Sequence, residues 1–512
     1  MPKQKIQNYL HELIKNLSQT EKRYFKLLAK QQTPGKKNDY IKLFEAIDKQ
    51  KVFNEEKIKE QFKGTPIEKR YASLKKYLYE LVIKSLTFYN SETISSIKVR
   101  RMLDAAEILQ RKGLFHQAIR KLDKAEKMAE EVGLNFVIHD ITRLKISCKS
   151  MISEFPPEEE FIAFKENQTS LIARMAQTNE ICNKGLDIVF YSMYAKDNSE
   201  AQDIERYKNL IDKDFLALEA NLSGGYNKHQ YFYTLKRYYS MIGDSEKLEE
   251  YNKKHINVFE SGAMKKKHLP SNYIHSVMTV LENLDPQTEK EDIEYWVNHC
   301  ENFFENEGSS YFNKANDLGH LHCIQQTHAL VGKNNNKIKQ LETVITEYLD
   351  ANKSKMNTFA VRWLNYNLAW TKIYKKDYKA ALSLSNELVN NDELSTSHFL
   401  YSPAIIQNVI IHFELKNFSY LEFAIGSFYK ELKKKSRLTA NETLVFDFFY
   451  QNLSKVGSSA ISNQDMFARL QNVYEATAKK PLDFTSEYLL QWINAKAGNQ
   501  IYVSDKGVLE YS

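Results

Sequence analysis

Two adjacent segments decide the fold of this chain. Residues 359–390 read FAVRWLNYNLAWTKIYKKDYKAALSLSNELVN, and residues 403–433 read PAIIQNVIIHFELKNFSYLEFAIGSFYKELK. Each holds two helical patterns joined by a two-residue turn, Lys376-Asp377 in the first and Lys416-Asn417 in the second. After each turn an aromatic residue is followed by apolar or small residues in steps of three and four, which share one helix face. We therefore predict two consecutive helical hairpins, with helices over 359–375, 378–390, 403–415 and 418–433.

Similar turns recur from residue 100 onward. We place them, at spacings of 40 to 47 residues, near Gly113, Phe155, Asp197, Gly243, Pro286, Lys333, Lys376, Lys416 and Gly457. A single hairpin cannot bury its apolar face alone, so repeated hairpins must stack on one another. Only 16 Gly and 9 Pro occur in 512 residues, which also favours helices joined by short turns. The sequence predicts an all-α, right-handed α-solenoid of about nine helical hairpins.

One repeat carries a recognisable signature. Residues 101–126 read RMLDAAEILQRKGLFHQAIRKLDKAE, which resembles a tetratricopeptide repeat. The residues that match its small, turn and apolar positions are Ala106, Gly113, Phe115, Ala118, Leu122 and Ala125. The hairpin at residue 359 matches through Leu368, Ala369, Tyr378 and Ala381. The period is longer than the roughly 34 residues of that family, so we describe the chain as tetratricopeptide-like.

The resemblance implies a function and a set of groove residues. In tetratricopeptide proteins the first helix of each pair lines a concave groove that binds a protein or peptide. Carried onto the matching hairpins, groove positions fall at Arg100, Glu107, Tyr233, Arg237, Trp363, Tyr366 and Trp370. Tyr, Trp and Arg are typical of interface hot spots. For Trp363 and Trp370 the alternative is packing between neighbouring repeats.

The first hundred residues are basic and differ from the rest. Residues 1–101 carry 23 Lys and Arg against 11 Asp and Glu. We predict a helical domain over 1–98, repeats over 99–484, and a capping helix with a tail over 485–512. A short helix, a Gly-Pro turn and a long helix over 67–89 resemble a helix-turn-helix element, whose second helix would contact nucleic acid. The contacting residues would be Lys69, Arg70, Lys75 and Lys76. The alternative is that scattered lysines only keep a small helical domain soluble.

Motifs that indicate catalysis are missing. The chain contains no glycine-rich phosphate loop, no nucleophile elbow and no HExxH motif. The densest set of metal-capable residues lacks any paired ligand spacing: His299, Cys300, His320, His322, Cys323 and His328. We therefore expect no enzyme activity, no cofactor and no metal.

Composition indicates the cellular compartment in which the protein works. The four cysteines are widely spaced, as expected for a reducing compartment. No signal-peptide pattern or long apolar run occurs, so we expect a cytoplasmic protein without a membrane partner. The bias towards Lys, Asn, Tyr and Ile is typical of AT-rich bacterial genomes. The leading hypothesis is a non-enzymatic scaffold that binds a protein or peptide. The alternative is a regulator with a nucleic-acid-binding domain at the N-terminus and a tetratricopeptide-like sensor.

Overall fold

The computed structural model divides the chain into two compact units, residues 1–175 and 176–512. The residues that it describes are 9–32, 39–91, 94–152, 157–194, 207–307, 311, 313–389, 398–434, 440–452, 467–473 and 484–498. Within these ranges all regular structure is helical, which confirms the all-α prediction. The predicted divisions after residues 98 and 484 stay predictions, and the first of them falls inside a helix.

The first unit is a succession of antiparallel helices. They are α1 (Tyr9–Asn16), α2 (Gln19–Gln32), α3 (Asp39–Lys49), α4 (Glu55–Gln61), α5 (Pro66–Lys69), α6 (Tyr71–Asn90), α7 (Ser95–Arg111), α8 (Phe115–Val132), α9 (Asn135–Met151) and the start of α10 (Glu158–Tyr194). Helices α1 to α6 enclose one apolar core, and α7 to α10 enclose another. The predicted small residues Ala106, Ala118 and Ala125 are fully buried in the second core. They allow the backbones of α7 and α8 to approach closely.

Local sequence signals set the ends of the first helices. A capping box opens α2: Ser18 N donates to Glu21 Oε2 at 2.8 Å, and Glu21 N donates to Ser18 Oγ at 3.2 Å. The prediction of one helix over 67–89 was wrong, because the chain breaks at Arg70 between α5 and α6. Pro66 starts α5 at its first position, and Arg70 leaves the helical conformation with ψ near 17°.

The second unit begins within α10 and continues with further helices. They are α11 (Lys213–Ala217), α12 (Gly224–Ile242), α13 (Ser245–Glu260), α14 (Pro270–Glu282), α15 (Lys290–Asn302), α16 (Lys314–Val331), α17 (Asn335–Asn352), α18 (Thr358–Tyr374), α19 (Tyr378–Val389), α20 (His398–Glu414), α21 (Phe418–Lys434), α22 (Ala440–Asn452), α23 (467–473) and α24 (Phe484–Lys496). From α12 to α22 each helix packs on the next one described, and α14, α16, α18 and α20 also pack on one another in order.

Five of the predicted turns have the same geometry. Gly113, Gly243, Lys333, Lys376 and Lys416 all adopt a left-handed conformation, with φ between 52° and 74°. At Lys376 the amide donates to Ile373 O, and the amide of Asp377 donates to Lys372 O, both at 2.9 Å. The same pair of bonds closes the helix at the other four turns. This is a Schellman motif, which satisfies carbonyls that the helix end leaves free.

The residue after three of the left-handed positions caps the next helix with its side chain. Asp244 and Asn334 accept a hydrogen bond from the amide three residues on, at 3.0 and 3.1 Å. Asp377 does the same towards Ala380 at 3.3 Å. A two-residue turn therefore ends one helix and caps the next. The predicted break at Pro286 is a longer connection between α14 and α15, and those at Phe155, Asp197 and Gly457 lie outside the described residues.

The predicted start of α20 was also wrong. We expected the helix to begin at Pro403, but it begins five residues earlier, at His398. Proline lacks the amide that would bond to the carbonyl of residue 399, so only the first turn of the helix is affected. Proline is therefore tolerated at this depth in α20 without ending the helix.

Candidate partner-binding face

Alternate helices of the second unit are joined by side-chain hydrogen bonds. One bond or more links each helix of the series α12, α14, α16, α18 and α20 to the next. The bonds run from Lys236 Nζ to Ser276 Oγ (3.0 Å), from His275 Nε2 to Asp317 Oδ1 (2.9 Å), from Gln326 Nε2 to Thr371 Oγ1, and from Gln407 Nε2 to Tyr366 O (3.0 Å). These five helices are therefore held side by side, and we call the surface that they share the alternate-helix face.

The last of the described helices, α24, is bound on this face. Tyr488 is buried, and its hydroxyl lies 2.6 Å from Thr327 Oγ1 on α16. The same hydroxyl donates to Asn367 Oδ1 on α18 at 2.9 Å. Burial raises the pKa of the Tyr488 phenol above its ordinary value, so the group stays protonated and remains a donor. One hydroxyl thus joins α24 to two neighbouring helices.

The other end of α24 is anchored by a carboxylate on α20. Glu414 accepts a hydrogen bond from Trp492 Nε1 at 2.6 Å and another from Lys496 Nζ at 2.8 Å. The Glu414 side chain is 8% exposed, and that of Lys496 is 33% exposed. Both bonds are charge-assisted, which makes them stronger than bonds between neutral groups. The carboxylate therefore recognises an indole N–H and an ammonium group four residues apart on one helix.

Aromatic contacts fill the space between these polar anchors. The ring of Trp492 lies 5.2 to 6.1 Å from the rings of Phe413, Phe449 and Phe467. The ring of Tyr488 lies 5.4 Å from that of Trp370. Helix α24 is consequently held by apolar burial together with oriented hydrogen bonds, the combination found where an amphipathic helix lies in a groove.

Three predicted groove residues lie in α18 and are buried. Trp363, Tyr366 and Trp370 are 8%, 1% and 5% exposed. Trp363 stacks on Tyr366 at 5.7 Å, and Trp370 contacts α24. A partner could reach Trp370 only after it displaced α24. Sequence reasoning did not foresee that the chain itself would cover this part of the face.

Two predicted groove residues on α12 are partly open. Arg237 donates to the Tyr233 hydroxyl at 3.4 Å, and its guanidinium lies 5.7 Å from the centre of that ring. Both side chains are half-buried. Their neighbour Lys236 is buried and bonds to α14, so α12 presents an aromatic ring and a guanidinium beside a fixed internal bond. These two residues form a partly exposed pair on α12, the first helix of the alternate-helix face.

The remaining predicted groove residues lie in the first unit. Arg100 and Glu107 are exposed on α7. Glu107 pairs with Arg111 one helical turn away, at 2.7 Å. Pairs of this kind on a helix surface contribute little to stability, so Glu107 is accessible to a partner.

The four residues predicted to contact nucleic acid divide into two pairs. Lys69 and Lys76 are exposed on α5 and α6. Arg70 pairs with Asp39 at 3.3 Å, and Lys75 pairs with Glu55 at 3.2 Å. Half of the predicted basic patch is therefore engaged by carboxylates of the same domain.

Sequence reasoning missed a buried polar chain that joins α12, α13 and α14. His229 Nδ1 lies 2.7 Å from His255 Nε2, and His255 Nδ1 lies 2.5 Å from Ser276 Oγ. All three residues are fully buried, and Lys236 bonds to the same hydroxyl. Burial, assisted by the charge of Lys236, lowers the pKa of His229 to about 3 and that of His255 well below its ordinary value. Both imidazoles are therefore neutral, and no sequence motif marks residues that lie 21 and 26 positions apart.

The histidines and cysteines considered as metal ligands have other partners or are buried. His320 pairs with Glu282 at 2.9 Å, and Cys300 and Cys323 are fully buried. Burial lowers the pKa of His320, but the hydrogen bond to Glu282 and nearby carboxylate charges outweigh it, so the pKa is raised. In the described ranges no three His, Cys, Asp or Glu side chains are grouped as a metal site requires.

Comparisons with known proteins add no family to this picture. No protein-family model matches the chain, and no curated protein or solved structure matches it. Among the described helices none is both long enough and apolar enough to cross a membrane.

Proposed function

We propose that this chain is a non-enzymatic scaffold that binds a protein or peptide segment on its alternate-helix face. The observation that carries the proposal is α24, because this face already holds a helix through Thr327, Asn367 and Glu414. In this proposal the hairpins form a tetratricopeptide-like α-solenoid, and the protein acts in the cytoplasm of a bacterium. The five identical turns support a repeated hairpin unit.

The buried chain around Ser276 supports a binding role rather than a catalytic one. Ser276 has a histidine and a lysine within hydrogen-bond distance, an arrangement that can activate a nucleophile. However, Ser276 and His255 are both fully buried, so no substrate reaches the hydroxyl. The chain of bonds instead joins α12, α13 and α14, and the half-buried Tyr233 lies next to it, with its ring 5.7 Å from that of His255.

An affinity capture with matched variants tests the proposal. The full-length protein is immobilised and exposed to native cytosol that has been divided into nuclease-treated and untreated halves. We expect one protein to be recovered equally from both halves and lost from the Tyr233→Ala/Arg237→Ala variant. The control is Glu249→Ala/Lys253→Ala, which removes an exposed ion pair on α13. Equal recovery by wild type and the Tyr233/Arg237 variant would reject these two residues as part of the site.

The same experiment addresses the alternative, a nucleic-acid-binding regulator. Exposed Lys69 and Lys76 favour it, because unpaired surface lysines on a basic domain attract phosphates. Nucleic acid recovered only from the untreated half, and lost in Lys69→Glu/Lys76→Glu, would support the regulator and count against the scaffold.

A further inference from the structure

Helix α24 presents three anchoring side chains on a single face. Tyr488, Trp492 and Lys496 follow one another at intervals of four residues, which align along a helix. Among residues 488–496, the side chains that hydrogen-bond to other helices are these three. The pattern is an aromatic hydroxyl, an indole N–H and an ammonium group, one helical turn apart.

The groups that bind these three side chains belong to three separate helices, α16, α18 and α20. Thr327 is 2% exposed, Asn367 is fully buried, and the Glu414 side chain is 8% exposed. A helix on this face excludes water from Asn367 Oδ1, so a helix without a donor at this point would leave that buried acceptor unpaired. Buried polar groups that lack partners destabilise a structure, so the face is specific for a helix that carries matching donors.

The match between α24 and the face is incomplete. Among the described residues of the same three helices, buried polar atoms of five side chains find no hydrogen-bond partner: those of Gln326, His328, Trp370, Ser402 and Gln407. Trp370 packs against the Tyr488 ring of α24, with 5.4 Å between the ring centres, and its indole N–H is one of these unsatisfied groups. A helix with an added acceptor at this point would satisfy the face better than α24 does.

From these contacts we infer that α24 is a displaceable occupant of the partner site. This inference rests on the proposed function and specifies its partner. The partner is a protein segment that forms an amphipathic helix with a Tyr, a Trp and a Lys or Arg at intervals of four residues. It binds across α16, α18 and α20 in place of α24, and the chain's own helix keeps this part of the face closed until that partner arrives.

A binding experiment in trans tests the inference on the full-length chain. The probe is a fluorescent peptide with the sequence of residues 484–498, and its binding is followed by anisotropy. A tethered helix competes at an effective concentration near the millimolar range, so wild type should bind the probe weakly. In the Tyr488→Phe chain the internal competitor loses a hydroxyl that the probe keeps. The apparent affinity for the probe should therefore rise at least about fivefold.

Two controls separate recognition from non-specific adhesion. Tyr374→Phe removes a surface hydroxyl from α18 and should leave probe binding as in wild type. A probe with Glu in place of Lys496 would bring a carboxylate against Glu414 and should not bind. In the full-length chain, Lys496→Glu weakens the attachment of α24 at Glu414 instead of at Asn367. Like Tyr488→Phe, this variant should therefore bind the unaltered probe more tightly.

The outcomes are distinct. Tighter probe binding by both opened chains, abolished by the charge-reversed probe, supports the inference. If hydrogen exchange shows that α24 opens in either variant and the probe still does not bind, α24 is a fixed part of the fold and the inference is overturned. If the opened chains form dimers instead of binding the probe, the occupant is a second copy, which also overturns it. If either result overturns the inference about α24, the scaffold proposal is still tested independently by the capture experiment with the Tyr233→Ala/Arg237→Ala variant.

Discussion

The hydroxyl of Tyr488 offers the sharpest test of how α24 is held. In Tyr488→Phe the ring stays, so apolar burial is unchanged. The single Thr327 hydroxyl hydrogen is then free to bond to Cys323 O at 3.0 Å, and Asn367 Nδ2 retains its bond to Trp363 O at 2.8 Å. The loss therefore falls on Asn367 Oδ1, a fully buried acceptor that no longer receives a donor.

The size of the effect follows from that single unpaired acceptor. Leaving a buried acceptor without its donor costs about 1–3 kcal/mol. Since each 1.4 kcal/mol is a factor of about ten, the opening equilibrium of α24 should rise by roughly 5- to 150-fold. Hydrogen exchange measured by mass spectrometry on α24 reads this equilibrium directly, because local opening governs exchange there.

A matched substitution provides the reference for this measurement. Tyr374 is 37% exposed, and its hydroxyl donates to Asn335 Oδ1 at 3.3 Å, where water can replace it. Tyr374→Phe should change stability by less than about 0.5 kcal/mol. Exchange in α24 that is no faster in Tyr488→Phe than in Tyr374→Phe would refute the reasoning. Acceleration spread evenly over the whole second unit would show that α24 does not open on its own.

Three further predictions concern turns, titration and charge. Gly243→Ala should destabilise the protein by about 1–2 kcal/mol in urea unfolding, because alanine is strained in the left-handed conformation that Gly243 adopts at φ 74°. Lys376→Gly should not destabilise the protein, because glycine adopts φ 61° without strain. Because the pKa of His229 is lowered to about 3 in the folded state, the free energy of unfolding should fall as the pH decreases from 6.5. His229→Gln should reduce the proton uptake on unfolding at pH 5. A variant in which the free energy of unfolding depends on pH as in wild type would contradict this. If the N-terminal domain binds duplex DNA, Lys69→Ala/Lys76→Ala should weaken binding and flatten its salt dependence; binding that is insensitive to salt would exclude phosphate contacts.

Local features of this chain were predictable because a few neighbouring residues determine them. The turn at Lys376-Asp377 depends on one left-handed residue and one side-chain cap, and both are encoded within three positions. The capping box at Ser18 is equally local. Helix periodicity likewise placed the ends of the helices predicted between residues 359 and 433 within one residue, except at Pro403, and the helix predicted over 67–89 is divided at Arg70.

For the groove residues, the neighbouring sequence could not predict whether the side chains are exposed or covered. The family resemblance placed Trp363, Tyr366 and Trp370 on one helix, but it did not determine whether they would be open or covered. Their burial depends in part on α24, whose Tyr488 meets Asn367 across 121 positions of sequence. A helical stripe indicates that α24 has an apolar face, but not which surface receives it.

The sequence alone therefore determined that this protein is helical, where most helix ends in the segment 359–433 fall, and which turns repeat. These properties depend on hydrogen bonds and side-chain spacing within a few residues. Only the tertiary structure decided that Glu414 meets Trp492 and Lys496, and that His229, His255 and Ser276 share one buried chain. Those contacts arise when distant helices pack, and a buried polar group is tolerated only where a partner from another helix satisfies it.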